Sequence, residues 1–473
     1  MSSTATADRV GVWLIGARGS VATTAVAGCA AMAAGLHPPT GMATETPAFA
    51  DAGLPALSAL VFGGHDVVEC PLPKRAEQLA AGGVLPHDLP LAVRAELLAA
   101  DAEIRPGGPH PGDTRTDEDL ITAFTSDILD FLRRRNLTRA VVVNVASTEP
   151  APATALSGAA RPSPPGAGSG PAREPREPGA SVEPPEPGGP GEPLVPGEPG
   201  EPPAPGEPSE PGEPGEPPAP GEPSEPGEPG ESAGLGGPGG SGRGAASGAG
   251  NGGGRLPASS LYAAAALRAG CSYVNFTPST GLHHPALTAL ATSAGLPHAG
   301  RDGKTGQTLL RSVLGPMFAH RALVVRAWSG TNLLGGGDGA ALADPRAAAA
   351  KNAGKERVLA DTLGAVPEGE VHIDDVPALG DWKTAWDHIA FEGFLGTRMT
   401  LQTTWQGCDS ALAAPLVLDL ARLLSRAHER GLTGPRPELA FYFKDPDPGA
   451  PAGLADQYAA LVAFAARLRE RGE

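Results

Sequence analysis

Residues 9–35 read RVGVWLIGARGSVATTAVAGCAAMAAG, and the reading of this stretch decides the fold. The apolar run Val10 to Ile15 predicts a strand. Gly16 and Gly19 break it, after which small residues recur at helical spacing through Ala22, Val26, Ala30 and Ala33. Strand, tight turn and helix in that order open a dinucleotide-binding βαβ unit. Gly16 lets the chain turn sharply, Gly19 and Ala22 let strand and helix pack closely, and the unpaired amides and dipole of the helix start attract a pyrophosphate. Gly16, Ala17, Arg18, Gly19 and Ser20 are then the cofactor-contacting residues. Arg18 stands where G-x-G-x-x-G has its middle glycine, so the competing reading is an ordinary strand-to-helix turn.

Working outward, the 473-residue chain must be divided before its composition means anything. Residues 151–254 are almost entirely Pro, Gly, Glu, Ala and Ser, and PGEPGEPPAPGEPSE at 196–210 recurs unchanged at 211–225. With almost no large apolar side chains to bury, the segment cannot offset the entropy of ordering, so a disordered, polyproline-II-rich insertion is expected. It carries 15 Glu and four Arg, so most of the chain's net charge of −17 resides there. The remaining 369 residues hold only about −6, an ordinary balance for a nucleotide domain plus a second domain. Neither half is basic enough for nucleic acid, no apolar run reaches the ~18 residues of a membrane span, and no signal pattern opens the chain; a cytoplasmic protein is expected. Cys29, Cys70, Cys271 and Cys408 form no C-x-x-C pair and read as reduced core thiols.

Along the chain, the apolar run Ser58 to Phe62 leads to Asp66, an acid placed to accept hydrogen bonds from a cofactor ribose, although it lies farther from Gly16 than the usual ~20 residues. Asp117 to Arg135 has amphipathic spacing with acids first and arginines last, which matches a helix dipole. Arg139 to Val145 is a buried parallel strand, and Ser147 and Thr148 follow at its carboxyl end, where open α/β sheets place ligands. After the low-complexity segment a helix, Ser259 to Ala269, and a strand, Ser272 to Phe276, resume the rhythm, so residues 151–254 read as a surface-loop insertion. A Pro-rich ligand for an SH3-like partner is the alternative. His283-His284 has no partner at metal-ligand spacing.

The most informative stretch is AGRDGKTGQT at 299–308, before a helix from Leu309 to Phe318. GRDGKTGQT resembles the G-D-D-x-K-S-G-Q-T signature of the inositol-3-phosphate synthase (myo-inositol-1-phosphate synthase) family. SGTNLLGGGDG at 329–339, VPALGDWKTAWD at 376–387 and CDSALAAPLVLDL at 408–420 resemble three further motifs of that family, in the same order. The chain departs from the pattern at Arg301, at Gly336-Gly337 and in its sparser cofactor loop. The resemblance implies an active-site lysine cluster, matched here by Lys351, Lys355, Lys383 and Lys444. It implies that Asp381 holds Lys383, that Asp302 sits beside nicotinamide or substrate, and that Asp338 supports cofactor or a cation, against a plain Gly-rich turn for the last.

In the family, glucose 6-phosphate is oxidised at carbon 5 by bound NAD, enolised, cyclised by attack of carbon 6 on carbon 1, and reduced again by the same NADH. Each step moves a proton or builds an oxyanion. An ammonium can orient a hydroxyl and stabilise developing negative charge, and a lysine, unlike an arginine, can also accept a proton. Lys383 is accordingly expected in proton transfer, with Lys351, Lys355 and Lys444 on phosphate and oxyanion.

The expected fold is α/β: a Rossmann-like doubly wound parallel sheet with an inserted α+β catalytic and oligomerisation domain and the disordered loop insertion. Its parts are a first nucleotide-binding segment over 1–150, the insertion over 151–254, continuation of the nucleotide domain over 255–304, the α+β domain over 305–408 and a return over 409–473. Within the α+β domain, Ala322 to Trp328, Glu370 to Val376 and Arg398 to Trp405 read as strands, and Ser410 to Arg426 as the returning helix. The resemblance further implies a homotetramer acting on a small sugar phosphate with NAD, and a monovalent or divalent cation is allowed for. A sugar-phosphate dehydrogenase and a degenerate nucleotide-binding paralogue are the competing readings.

Overall fold

The computed structural model describes residues 9–110, 112–149, 255–335, 354 and 356–469. The expected Pro-rich insertion and the candidate residues Asp338, Lys351 and Lys355 lie outside the described residues. The chain runs β1 (Val10–Ile15), α1 (Ser20–Ala33), β2 (Leu60–Asp66), α2 (Leu72–Ala81), α3 (Leu89–Ala92), α4 (Arg94–Asp101), β3 (Ile104–Pro106), α5 (Asp117–Arg135) and β4 (Arg139–Asn144). After the insertion come α6 (Ala258–Arg268), β5 (Ser272–Asn275), α7 (Thr288–Ala294), β6 (Pro297–Gly300), α8 (Gly306–His320), β7 (Val324–Leu334), β8 (Val371–Asp375), β9 (Trp382–Glu392) and β10 (Arg398–Cys408). The chain closes with α9 (Asp409–Glu429), β11 (Gly434–Pro435) and α10 (Leu454–Arg469).

Seven strands form a parallel sheet in the order β11-β6-β5-β4-β1-β2-β3, with β1 paired to both β2 and β4. Every residue of β1 is buried, as a strand covered on both faces requires. Val12 and Leu14 pack into a core shared with α1, α2, α4, α9 and α10, while Trp13 and Ile15 face α5 and α6. The sheet is thus doubly wound, and the carboxyl ends of β1 and β4 border the crevice where such folds bind ligands.

Local sequence explains the elements. Thr116 and Asp119 form a capping box at the start of α5, three acids occupy its first turn, three arginines its last, and Asn136 ends it in the left-handed region. At the insertion, the Glu149 carboxylate accepts hydrogen bonds from Ser259 N at 2.7 Å and Ser259 Oγ at 2.6 Å. The two flanks of the Pro-rich segment therefore meet, and β4, α6 and β5 follow one another as in an uninterrupted fold.

The second sheet has the order β10-β9-β7-β8, with β9 antiparallel to both neighbours. Phe318, Trp328, Leu359 and Ile389 form its own core. The sequence reading found β7, β8 and β10 but no strand at 382–392. The reason is Asp387: it occupies an inward position of β9, where it is fully buried, and breaks the apolar alternation that would mark the strand.

Asp387 is satisfied by a network that the motifs themselves supply. Gln307 Nε2 donates to it at 2.8 Å, as do Arg311 Nη2 and Trp328 Nε1, each at 2.8 Å. Asn332 Nδ2 donates in turn to Gln307 Oε1 at 3.0 Å. A Cβ on Gly330 would lie 2.9 Å from both Asp387 and Gln307, so this position must be glycine. Several of the most specific motif residues thus tie α8 to the second sheet rather than face a ligand.

Candidate functional site

The turn after β1 is held from below. Gly16 N and Ala17 N both donate to His65 O, at 2.9 and 3.2 Å. The His65 ring is fixed by a hydrogen bond from Trp13 Nε1 to its Nδ1 at 3.0 Å and by Asp127 at 3.1 Å from Nε2. Burial pushes its pKa down, which keeps the ring neutral and the network uncharged at its centre. Gly16 has φ +83°, and a Cβ there would come within 2.7 Å of the Ala146 backbone, so the turn passes tightly against the loop after β4.

Gly19 is the N-cap of α1, and no side chain caps the helix. A Cβ on Gly19 would meet only Gly16 O, at 3.2 Å, with open space beyond. That space is a cavity of about 660 Å³ bordered by Gly16, Gly19, Ser20, Asp66, Ser147 and Asp409, among others. Its size lies within the ~300–1,000 Å³ range of cofactor sites. Asp66 accepts Arg18 N at 2.6 Å and Val68 N at 2.8 Å, which leaves its carboxylate at the cavity edge with acceptor capacity for a ribose hydroxyl. An uncapped helix start, a Cβ-free approach and a rim carboxylate fit a dinucleotide.

Arg18 borders this cavity too. Its guanidinium is held at the cavity wall, with Nε donating to Asp101 at 3.0 Å and Nη1 to Val68 O at 3.0 Å. The cation at the helix start is instead Arg75 of α2, whose Nη2 donates to Ser20 Oγ at 2.6 Å. No motif announces it. Cys70 also borders the cavity and is half-buried, which corrects its assignment to the core; Cys29, Cys271 and Cys408 are buried as expected.

Beyond Asp409 the cavity continues into a smaller one of about 100 Å³, bordered by Thr148, Thr277, Asp302, Thr305, Asp409 and Lys444. Lys444 Nζ donates to Asp302 Oδ1 at 2.9 Å, both side chains buried. Their backbones are joined as well, by Lys444 N to Asp302 O at 2.7 Å. Gly303 between them and Lys304 lies so close to Phe276 that a Cβ would sit 2.2 Å from its ring, which explains the glycine after Asp302. Lys383 Nζ donates to Asp409 Oδ2 at 3.0 Å, and Thr305 Oγ1 to Asp409 Oδ1 at 3.3 Å.

Asp381 does not hold Lys383, contrary to the expectation from the motif. It turns to α1, accepting Ser20 Oγ at 2.5 Å with Arg75 3.7 Å away, because it precedes β9 in the turn after Gly380 and faces α1 and α2. Arg301, the motif departure, is engaged by Asp445 through Nε at 2.7 Å and by Pro278 O through Nη1 at 3.0 Å, and Arg357 pairs with the same Asp445. The arginine is therefore neutralised beside the site rather than directed into it.

Lys304 was missed as a residue of interest. It is buried, bonded to Gln457 Oε1, and burial alone pushes its pKa down to about 7. With Lys444 it borders a further cavity of about 280 Å³. His283 and His284 serve locally, His283 near Asp447 and His284 accepting Ala286 N. Among the described residues, no three His, Cys, Asp or Glu side chains converge as a metal site, and no helix is long and apolar enough to cross a membrane.

Comparison with known proteins agrees with this geometry. The family model described as myo-inositol-1-phosphate synthase matches residues 306–410. Inositol-3-phosphate synthase 1 of Bacteroides thetaiotaomicron is 35% identical over 197 residues, which cover 40% of this chain and 46% of that protein. The Homo sapiens inositol-3-phosphate synthase 1 is 33% identical over 215 residues, covering 41% and 38%. The chain thus matches less than half the length of these relatives. In three dimensions it is similar to inositol-3-phosphate synthase from Caenorhabditis elegans, with TM-score 0.70 and 18% identity over 99% of this chain and 87% of the other. It is also similar to a myo-inositol-1-phosphate synthase-related protein from Thermotoga maritima, with TM-score 0.62 and 20% identity over 97% and 98%. At these identities the solved structures speak for the fold alone. The match over residues 306–410, the motifs and the fold all make this chain similar to the inositol-3-phosphate synthases.

Proposed function

We propose that the chain is an NAD-dependent cyclising isomerase that converts D-glucose 6-phosphate to 1D-myo-inositol 3-phosphate. The observation that carries this reading is the pair of lysine–carboxylate contacts, Lys383 with Asp409 and Lys444 with Asp302. They stand beside a second cavity that adjoins the one at the uncapped start of α1, with Asp409 bordering both. A plain dehydrogenase needs one acid-base group at its carbinol. A reaction that oxidises, enolises, cyclises and reduces on one substrate calls for several.

NAD bound beside Gly16, Gly19, Ser20 and Asp66 would supply hydride acceptance from carbon 5 and its return after ring closure. The chain's residues do the rest. Lys383 Nζ, as the neutral amine, takes the carbon 5 hydroxyl proton as the hydride leaves, with Asp409 orienting it and balancing the charge of the ammonium that results. Lys444, held by Asp302, stabilises the oxyanions of the enolised sugar in a site removed from water. Thr305, just before α8, borders the same cavity, and the dipole of that helix favours the substrate phosphate there; Lys351 and Lys355 are assigned to phosphate and oxyanion by resemblance. Asp66 receives the cofactor ribose. Outward-facing residues of the second sheet, Trp386 and His388 on β9 and Gln402 and Thr404 on β10, leave one of its faces available for a homotetramer.

Incubating the protein with NAD and glucose 6-phosphate, and resolving the products by phosphorus NMR, tests the reading. An inositol phosphate with no accumulation of NADH is expected. NADH rising in step with sugar consumed would establish the dehydrogenase instead, and no turnover would leave a nucleotide-binding paralogue.

A further inference from the structure

The start of α1 has no capping side chain of its own, and its anion comes from the second-sheet side of the molecule. Asp381 Oδ1 accepts a hydrogen bond from Ser20 Oγ, the first residue of α1, at 2.5 Å. Arg75 completes a triangle, with Nη2 2.6 Å from Ser20 Oγ and 3.7 Å from Asp381 Oδ1. The next residue, Trp382, is fastened to the end of α2 by a hydrogen bond from Nε1 to Gly82 O at 2.8 Å. Ser20, Arg75, Asp381 and Arg18 all border the large cavity, but the guanidinium of Arg18, which occupies the place of the lost glycine, is committed to Asp101 and Val68 O.

A carboxylate beside a helix N-terminus experiences the same dipole that makes such a terminus a phosphate site. An arginine fork serves carboxylate and phosphate alike. We infer that Arg75 and Ser20 are the side chains that bind the diphosphate of the dinucleotide, and that Asp381 is a resident counter-anion which the diphosphate displaces. The inference rests on the reading of this cavity as the NAD site. It assigns Asp381 to the cofactor end of the site and gives the imperfect glycine loop its missing phosphate contact. A diphosphate brings two negative charges and several acceptor oxygens where Asp381 offers one charge, so the exchange favours the cofactor. Because Asp381 lies two residues before Lys383, the exchange also bears on the strand that carries the proposed proton acceptor.

Calorimetric titration of the full chain with NAD, and separately with ADP, tests the assignment on wild type, Asp381→Asn, Arg75→Gln and Arg75→Lys. Asp381→Asn removes the competing charge and should bind both ligands about two- to fivefold tighter, the scale of one partly exposed ion pair. Arg75→Gln should bind both on the order of tenfold more weakly, with Arg75→Lys in between. Wild-type binding of NAD with unchanged affinity in Asp381→Asn and Arg75→Gln, accompanied by lower melting temperatures, would overturn the inference and leave the triangle a purely structural contact. If neither wild type nor Asp381→Asn binds NAD or ADP, the cofactor reading fails and this one with it.

Discussion

Lys383 Nζ lies 3.0 Å from Asp409 Oδ2, so the second residue of β9 is joined to the first residue of α9. The contact brings two separate motifs, GDWKTAWD and CDSALAAPLVLDL, to one point on the wall between the two cavities. The side chain of Lys383 is largely buried.

From this contact, Lys383→Ala should lower kcat by ~100- to 10,000-fold, the usual cost of losing general acid-base help. Substrate binding should suffer less, because other cations hold the phosphate. Lys383→Arg keeps the charge but cannot accept a proton at accessible pH, and should fail nearly as badly. Steady-state kinetics decide: an arginine variant with most of the wild-type rate would make Lys383 an electrostatic anchor.

Arg311 and Asp387 form a buried ion pair at 2.8 Å beneath the second sheet. Arg311→Met should therefore destabilise the protein by about 3–5 kcal/mol, since it strands a buried carboxylate. Arg311→Met combined with Asp387→Leu should recover part of the loss. Urea denaturation of the single and double variants measures both; equal stability of wild type and Arg311→Met would contradict the structural role given to the network.

Lys304 makes stability depend on pH in a definite direction. Its folded pKa is about 7 against 10.5 for the ordinary group, so between these values the unfolded chain binds the extra proton. Stability from this group rises as pH rises from about 7 towards 10.5, by up to ~1.4 kcal/mol per pH unit, and its penalty is fully present below about 7. Lys304→Met should flatten that slope. Urea midpoints at pH 7 and pH 9 provide the measurement, and an unchanged slope would mean that Lys304 stays charged in the fold.

Replacing residues 151–254 by a short Gly/Ser linker should leave the fold and turnover nearly intact, because Glu149 and Ser259 already meet across the insertion. Circular dichroism melting and the product assay report on it. Aggregation or complete loss of activity would show that the segment takes part in folding or catalysis.

Much of the architecture was legible because it follows from periodicity and caps: β1, α1, α5 and β4 all lie where apolar spacing and end charges put them. The strand β9 was not, because a buried acid sits in its inward pattern and the acid's three partners, Gln307, Arg311 and Trp328, come from α8 and β7. The lysines Lys383 and Lys444 and the acid Asp302 could be named from motifs, but the pairing of Lys444 with Asp302 and of Lys383 with Asp409 could not. Asp409 and Asp302 reach them only once the chain has returned to the first domain. The contact of Asp381 was misassigned for the same reason: two residues apart in sequence, Asp381 meets Ser20 of α1 and Lys383 meets Asp409 of α9. Arg75 and Lys304 have no spacing that marks them, and only the cavity walls and their burial bring them forward.

The central claim is that one bound cofactor takes a hydride from the sugar and gives it back. Glucose 6-phosphate carrying deuterium at carbon 5, turned over with unlabelled NAD, tests this most directly by mass spectrometry of the product. The account predicts an inositol phosphate that retains the deuterium, with none in the NADH pool. Deuterium lost to soluble NADH, or a product that remains an open-chain keto sugar phosphate, would contradict it.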